Sequence, residues 1–437
     1  MKRYYLSLLV LLMASVSYGQ EGWTWSVLPS MPEPVSNNSV TQGYSGDTLC
    51  IYSFTGIDES KLFSGIHLKS WKYNTISQEW SNIPDVPDFQ GKIAAAASTI
   101  NNKIYVIGGY HVNADNTEIS SEKTHVFDPE INSWIEDGAD IPVAIDDHVQ
   151  AVWRDSLLFV VTGWSNNGNV EDVQIYNPEL DLWSEGTPVP NGSYRVFGGA
   201  GTITGDSLFY YGGVTSGTFS TQGKLRRGVI NPNNPTEIEW TNLGNSPGDK
   251  GYRCGAIHYQ DRIYFVGGSG DGYNYDGISY ATNQGVAPLT RILTWWSEQG
   301  FWNEGLGAPY GVMDLRGLSQ ISENQWIICG GMGENQEVSE AVYLLTLNED
   351  FGVSLGELEV ALPLDIFYSN KNLIISGDII EKGWTIEVYD LSGKLIVQKK
   401  LSTLYNSLHF NRTSSSYVVN IFDEDYNIVQ TTRVIQP

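Results

Sequence analysis

A unit of about 50 residues recurs along most of this chain, and it limits the fold more than any other feature. Lys103-Ile-Tyr-Val-Ile-Gly-Gly-Tyr110 gives its first half and Val126-Phe-Asp-Pro-Glu-Ile-Asn-Ser-Trp134 its second. An apolar run ends in a glycine pair, and a loop of variable length leads to an aromatic, a turn and a tryptophan. The glycine copies are Thr55-Gly56, Gly108-Gly109, Thr162-Gly163, Gly212-Gly213, Gly267-Gly268 and Gly330-Gly331. The tryptophan copies are Trp25, Trp80, Trp134, Trp183, Trp240 and Trp302. Runs such as Ile104–Ile107, Leu158–Val161, Leu208–Tyr211 and Ile263–Val266 are apolar on both faces, as strands buried between two layers require. Frequent Asn, Asp and Gly turns between β-branched and aromatic runs read as all-β, with few helices.

A strand-rich unit of this period resembles the kelch repeat, in which each copy forms one four-stranded propeller blade. The first tryptophan precedes any glycine pair, and Trp25-Ser-Val-Leu-Pro-Ser-Met-Pro32 matches Trp80-Ser-Asn-Ile-Pro-Asp-Val-Pro87. Residues near Trp25 are thus the end of a repeat. At the other end, Trp326–Gly331 and Val342–Thr346 supply inner strands with no tryptophan strand after them. Pairing the two ends closes the ring and removes two open sheet edges. The expectation is an all-β fold: a six-bladed kelch β-propeller closed by the N-terminal strand, with a small C-terminal β-sandwich. The aromatic before each turn and the tryptophan after it are seven apart in Tyr73/Trp80, Phe127/Trp134, Tyr176/Trp183 and Trp295/Trp302. That regularity points to packing between blades rather than a carbohydrate platform.

Fifty acidic against 25 basic residues, a formal charge of −25, argue against nucleic acid or an anionic membrane as partner. Lys2 and Arg3, an apolar run to Val16 and the small residues Ser17 and Gly19 read as an export signal over residues 1–19, too short for a membrane span. No Cys follows the cut, which speaks against a lipoprotein anchor. Cys50, Cys254 and Cys329 fall in or beside inner strands and read as buried thiols, not a disulfide framework.

The repeat ends near Glu349, so the propeller is assigned to residues 20–349, a linker to 350–365 and a second β unit to 366–437. The second unit carries Asn372–Ser376, Trp384–Asp390, Lys394–Val397, Ser416–Phe422 and Gln430–Ile435 as strands. Tyr389-Asp-Leu-Ser-Gly-Lys394 followed by Tyr417-Val-Val-Asn-Ile421 resembles the C-terminal sorting domain of the type IX secretion system of Bacteroidetes-type bacteria. The usual Tyr-Pro-Asn-Pro opening is degraded here to Phe367-Tyr-Ser-Asn370. The resemblance implies a secreted or cell-surface protein whose tail engages the secretion machinery and takes no part in its activity.

Residues at the start of each innermost strand face one mouth of the central channel. Counting back from the glycine pairs places Lys92, His148, Arg195, Arg253 and Arg316 there, with Asn38 in the first blade. Converging cations would bind a carboxylate or phosphate. Alternatively they pair with acids of neighbouring blades, such as Asp146, Asp147 or Asp314, and knit the top of the ring. The loops 111–124, 165–173, 214–227, 269–289 and 332–340 differ between blades and are where specificity would lie. Gly268–Gly277 has oxygen ligands but not the spacing of a calcium loop. The histidines show no metal-pair spacing, though His148, His111 and His258 could approach the mouth. No metal and no cofactor is expected.

The six blades, the export signal and the cations resemble secreted N-acetylneuraminate epimerases. Galactose-oxidase-like copper enzymes fit less well, being usually seven-bladed with two histidine ligands. The expected function is binding of an anionic ligand, an acidic sugar or glycan, at a basic mouth. The alternatives are an epimerase or mutarotase acting on such a sugar, and a protein-interaction module without catalysis.

Overall fold

The structure is a computed structural model that describes residues 22–304 and 307–348. Beyond these it describes the strands between residues 365 and 435, with Trp384, Lys394 and Leu401 beside them. The expected export signal and nearly all of the expected linker lie outside the described residues.

Six four-stranded antiparallel sheets follow one another. Blade 1 comprises Ser39–Ser45, Thr48–Ile57, Ile66–Asn74 and Glu79–Ile83. Blade 2 comprises Ile93–Ile100, Lys103–Val112, Thr124–Asp128 and Ser133–Trp134, with Glu118–Ser120 added beside the second strand. Blade 3 runs Val149–Trp153, Leu157–Val161, Val173–Asn177 and Leu182–Glu185. Blade 4 runs Phe197–Thr204, Ser207–Val214, Lys224–Asn231 and Asn234–Asn245. Blade 5 runs Gly255–Tyr259, Arg262–Val266, Ile292–Trp296 and Phe301–Glu304. Blade 6 takes Ser319–Ser322, Gln325–Cys329 and Val342–Asn348 from one end of the propeller sequence and Gly22–Leu28 from the other. Trp25 lies opposite Leu345 in that last pairing, so the N-terminal strand closes the ring as expected. The only helical pieces among the described residues are two single 3-10 turns, Phe63–Gly65 and Glu334–Gln336.

The repeat residues have distinct physical tasks. Each aromatic seven residues before a tryptophan is its directly opposed cross-strand partner: Tyr73 with Trp80, Phe127 with Trp134, Tyr176 with Trp183 and Trp295 with Trp302. Their ring centroids lie 5.2, 5.2, 4.9 and 5.1 Å apart, within the range of favourable aromatic pairs. The first glycine of a pair sits against the next blade. A Cβ at Gly212 would lie 2.1 Å from the Gly251 carbonyl oxygen, and one at Gly267 would lie 2.2 Å from that of Val312. Both glycines also have positive φ, +71° and +62°, so no side chain is tolerated there. The three cysteines are buried free thiols. Burial pushes Cys254 up to about 12, which keeps it an inert core residue.

The chain divides into two compact units, residues 1–352 and 353–437. In the second, Asp365–Ser369, Asn372–Ser376 and Tyr405–Leu408 form one sheet. Leu395–Lys400, Thr385–Asp390, Ser416–Phe422 and Ile428–Ile435 form the other. Ile375, Trp384, Val388, Leu408 and Val419 share its core. Tyr405–Leu408 is a strand absent from the sequence reading, because four residues are too few to show alternation.

Candidate functional site

The first strands of successive blades ring a central channel with a cavity of about 280 Å3. Its wall is made of small and uncharged polar residues: Thr41, Ser98, Gln150, Thr202 and His258 among them, with His148 and Arg316 at the mouth end. His148 is fully enclosed, with Nε2 3.0 Å from Gln150 Oε1. Burial, assisted by the charge of Arg316, pulls its imidazole down to about 3, so it is neutral near pH 7.

Before or at the start of each first strand, one residue per blade adopts a left-handed backbone: Asn37 (φ 55°), Ala94 (57°), Asp147 (49°), Gly198 (65°), Arg253 (46°) and Asp314 (64°). Hydrogen bonds tie these turns together around the axis. Asp147 N donates to Ala94 O (3.0 Å), Gly198 N to Asp147 O (2.7 Å), Arg253 N to Gly198 O (2.8 Å) and Leu315 N to Arg253 O (3.0 Å). Asn37 Oδ1 accepts from Ala94 N at 2.8 Å. The equivalent positions of the mouth are therefore an amide, two small residues, two acids and one arginine.

This corrects the expectation of five cations at equivalent positions. Of the six residues expected there, only Arg253 occupies a ring position. Asn38 and His148 come one residue later and Arg316 two later, whereas Lys92 and Arg195 come two and three earlier. Counting from the glycines failed because the hairpins between differ in length.

Arg253 and Arg316 are buried and carry their counter-ions inside the protein. Arg253 Nε and Nη2 donate to the two oxygens of Asp147 at 3.0 and 2.5 Å, and Nη1 donates to Asp314 Oδ1 at 2.7 Å. Asp314 also accepts from Ser36 Oγ (2.6 Å) and Asn37 Nδ2 (3.2 Å). Arg316 donates to Asp147 (3.3 Å), Ala94 O (3.3 Å) and His148 O (3.1 Å). For these two the alternative reading holds: they knit the top of the ring to Asp147 and Asp314. Lys92 is wholly buried and paired with Asp88 at 3.0 Å. Asp88 also faces His125 Nε2 at 3.0 Å, and those partners hold its carboxyl well below the usual carboxylate range despite burial. Asn38 donates to Ser53 Oγ (2.8 Å) and Cys329 O (3.3 Å). Arg195 alone of the six is half-exposed, 3.4 Å from Glu171.

A loop of blade 5, residues 269–289, crosses the mouth above this network. Gly272 N donates to Thr221 Oγ1 of blade 4 (2.8 Å), and Gln336 Nε2 of blade 6 donates to Val286 O (2.7 Å). Tyr275 packs on the cluster containing Ile57, Ile93 and Tyr110 of blades 1 and 2. Tyr273 is fully buried, its hydroxyl 3.5 Å from Asp314. The segment whose composition suggested oxygen ligands is thus a strap. Among the described residues no group of three or more His, Cys, Asp and Glu is placed to hold a metal ion.

The strap leaves a side pocket of about 120 Å3. Tyr110, Trp164, Phe197, Phe219 and Tyr280 supply its aromatic walls, Asn274 an amide, and Glu118, Asp146 and Asp147 carboxyl groups. Phe219 stacks on Tyr280 at 4.7 Å and on Trp164 at 5.9 Å. Asp146 is buried and accepts from Ser120 Oγ at 2.5 Å. Burial and then the charge of Asp147 raise its carboxyl well above the ordinary range. Glu118 stands exposed at the rim; desolvation by the surrounding protein raises it too, opposed by Arg253. The sequence reading missed these walls, although Tyr110 and Trp164 each directly follow the second glycine of a pair. Phe219 and Tyr280 sit deep in loops of unequal length and carry no such signal.

Comparison with known proteins agrees with this architecture. The Kelch motif family model matches residues 94–140. The solved structure of YjhT superposes with a TM-score of 0.59 at 20% identity, covering 74% of this chain and 98% of that one. The propeller is of the kelch type. Kelch-like protein 25 of Xenopus tropicalis is 24% identical over 215 residues, 47% of this chain and 33% of its own length. Kelch-like protein 23 of Pongo abelii is 26% identical over 291 residues, 65% of this chain and 44% of its own length. The chain spans less than half of these relatives. Among the described residues no helix is long and apolar enough to cross a membrane.

Proposed function

We propose that this protein is an exported binding propeller that takes a saccharide-class ligand in the side pocket of its mouth. The observation that carries the reading is the wall Trp164–Phe219–Tyr280 standing beside buried carboxyl groups in one concavity, assembled from loops of blades 3, 4 and 5. Aromatic faces pack on the apolar side of a sugar ring, and carboxyl and amide groups take up its hydroxyls. Export rests on the signal-like residues 1–19 and on the resemblance of residues 366–437 to a type IX sorting domain, which would address the protein to the secretion machinery and the cell surface.

An acidic sugar has less support than a neutral or amino sugar. Its expected partners Arg253 and Arg316 are neutralised by Asp147 and Asp314, which leaves Arg195 as the accessible cation of the six. A second reading, a sugar epimerase or mutarotase, is favoured by Asp146, a buried carboxyl that desolvation and the charge of Asp147 raise above the ordinary range, beside the ionic pair of Asp147 with Arg253. The propeller fold does not choose between them, and the likeness to Kelch-like proteins also leaves room for a protein partner.

Calorimetric titration of the full chain with N-acetylneuraminate, glucose and glucosamine tests the reading, repeated with Phe219→Ala. Saturable binding of a sugar that weakens about tenfold in Phe219→Ala is expected, as loss of an aromatic stacking contact implies. Binding unchanged in Phe219→Ala, or no sugar bound at all, would contradict it. NMR anomer exchange on any bound sugar then separates turnover from recognition.

A further inference from the structure

We infer that the mouth pocket is built for a ligand bearing an alkylammonium group, a primary or N-methylated amine, and not for an anion. The inference rests on the reading of this pocket as the ligand site and specifies what enters it.

Charge comes first. The lining holds three carboxyl groups, Glu118, Asp146 and Asp147, and no lysine or arginine. The nearest cations stand behind Asp147, with their donors already engaged: Arg253 by Asp147 and Asp314, Arg316 by Asp147 and the carbonyls of Ala94 and His148. An anion entering would meet three carboxyl groups and no lysine or arginine to balance its charge. Glu118 stands opposite at the exposed rim, where a charge can meet an incoming cation before it is desolvated. The chain as a whole carries −25, a field that draws cations toward such a concavity.

The walls come second. Five aromatic residues line the same small space, and an aromatic face attracts an ammonium group through the ring quadrupole. Phe219 is sandwiched between Trp164 and Tyr280, and Phe197 meets Trp164 edge-on at 5.4 Å, so the rings wall in a compact group on several sides.

Size comes third. At about 120 Å3 the pocket is well below the roughly 300–1,000 Å3 that encloses a drug-sized molecule, so what enters it is a compact head group. The rest of the ligand then lies over the rim, toward Glu118 and the loops beyond.

The test uses two probes of one shape, choline and its uncharged isostere 3,3-dimethylbutan-1-ol, titrated calorimetrically into the full chain. Choline is expected to saturate one site and the isostere to bind at least about tenfold more weakly, the difference a desolvated cation–aromatic contact makes. Glu118→Gln, a rim substitution, is expected to weaken choline several-fold and leave the isostere unchanged. Phe219→Ala is expected to weaken both. Equal affinity for the two probes, or a Glu118→Gln variant that binds choline like the parent, would overturn the inference while leaving the pocket a ligand site. Failure of both probes would overturn it too. If Phe219→Ala then also left sugar binding untouched, the reading of the pocket itself would fall.

Discussion

Two halves of one mouth use charge in opposite ways. On the side of blades 5, 6 and 1, Arg253 joins Asp314, with Ser36, Asn37 and Tyr273 around it, to Asp147 reaching across from blade 3, all of them buried. Toward blades 2, 3 and 4, Glu118 and Asp146 stand beside aromatic walls with no cation in the lining. The first half is a closed ionic knot and the second an open concavity. Buried charge needs its counter-charge and hydrogen bonds within reach, because desolvating an unpaired ion costs more than any contact it makes. A basic residue at the mouth of an acidic chain is thus as much a candidate fastening as a candidate ligand site.

The comparison can be broken most forcefully at Arg253. Arg253→Ala leaves Asp147 and Asp314 buried without their shared partner, and a loss of roughly 3–5 kcal/mol is expected in denaturant unfolding. Phe219→Ala in the open half should lower stability by only about 1–2 kcal/mol, because the ring is half-buried, while weakening ligand binding about tenfold.

Buried groups at and beside the mouth should also respond to pH with opposite sign. His148, held down to about 3, is favourable to folding above its ordinary pKa. That contribution is lost as pH falls from about 6.5 toward 3, and the lowered Asp88 adds to the loss below about 4. Asp146, raised by burial, behaves the other way. Its contribution is full below the ordinary aspartate range and is lost as pH rises toward its folded value. Thermal melts across pH 3–9 should therefore show acid lability flattened in His148→Asn, and a variant Asp146→Asn whose advantage over the parent grows with pH. The smallest effect is expected at Arg195. Its partner Glu171 is also solvent-exposed, so Arg195→Ala should change stability by less than about 1 kcal/mol. An Arg195→Ala variant that lost binding would move the site outward from the side pocket.

Much of the fold was legible because each blade repeats its own packing problem. The seven-residue aromatic-to-tryptophan spacing becomes a directly opposed cross-strand pair, and the orphan Trp25 strand becomes the fourth strand of blade 6. The mouth was less legible. Its ring is defined by a left-handed backbone at Asn37, Ala94, Asp147, Gly198, Arg253 and Asp314, six positions of five residue types with no common side-chain signature. Asp147 and Asp314 were visible as possible partners, but which cation each would meet depends on which blades face each other across the channel. The aromatic walls come from loops of unequal length, where repeat spacing gives no register.

The most direct test of the closed knot is a double-mutant cycle in thermal and denaturant unfolding with Asp147→Asn, Arg253→Gln and the pair. Each single variant should be strongly destabilised, and the pair less than the sum, with a coupling on the order of 2 kcal/mol between groups in contact. If Arg253→Gln instead melted like the parent and lost affinity for N-acetylneuraminate, Arg253 would be a ligand group and the division of the mouth drawn above would be wrong.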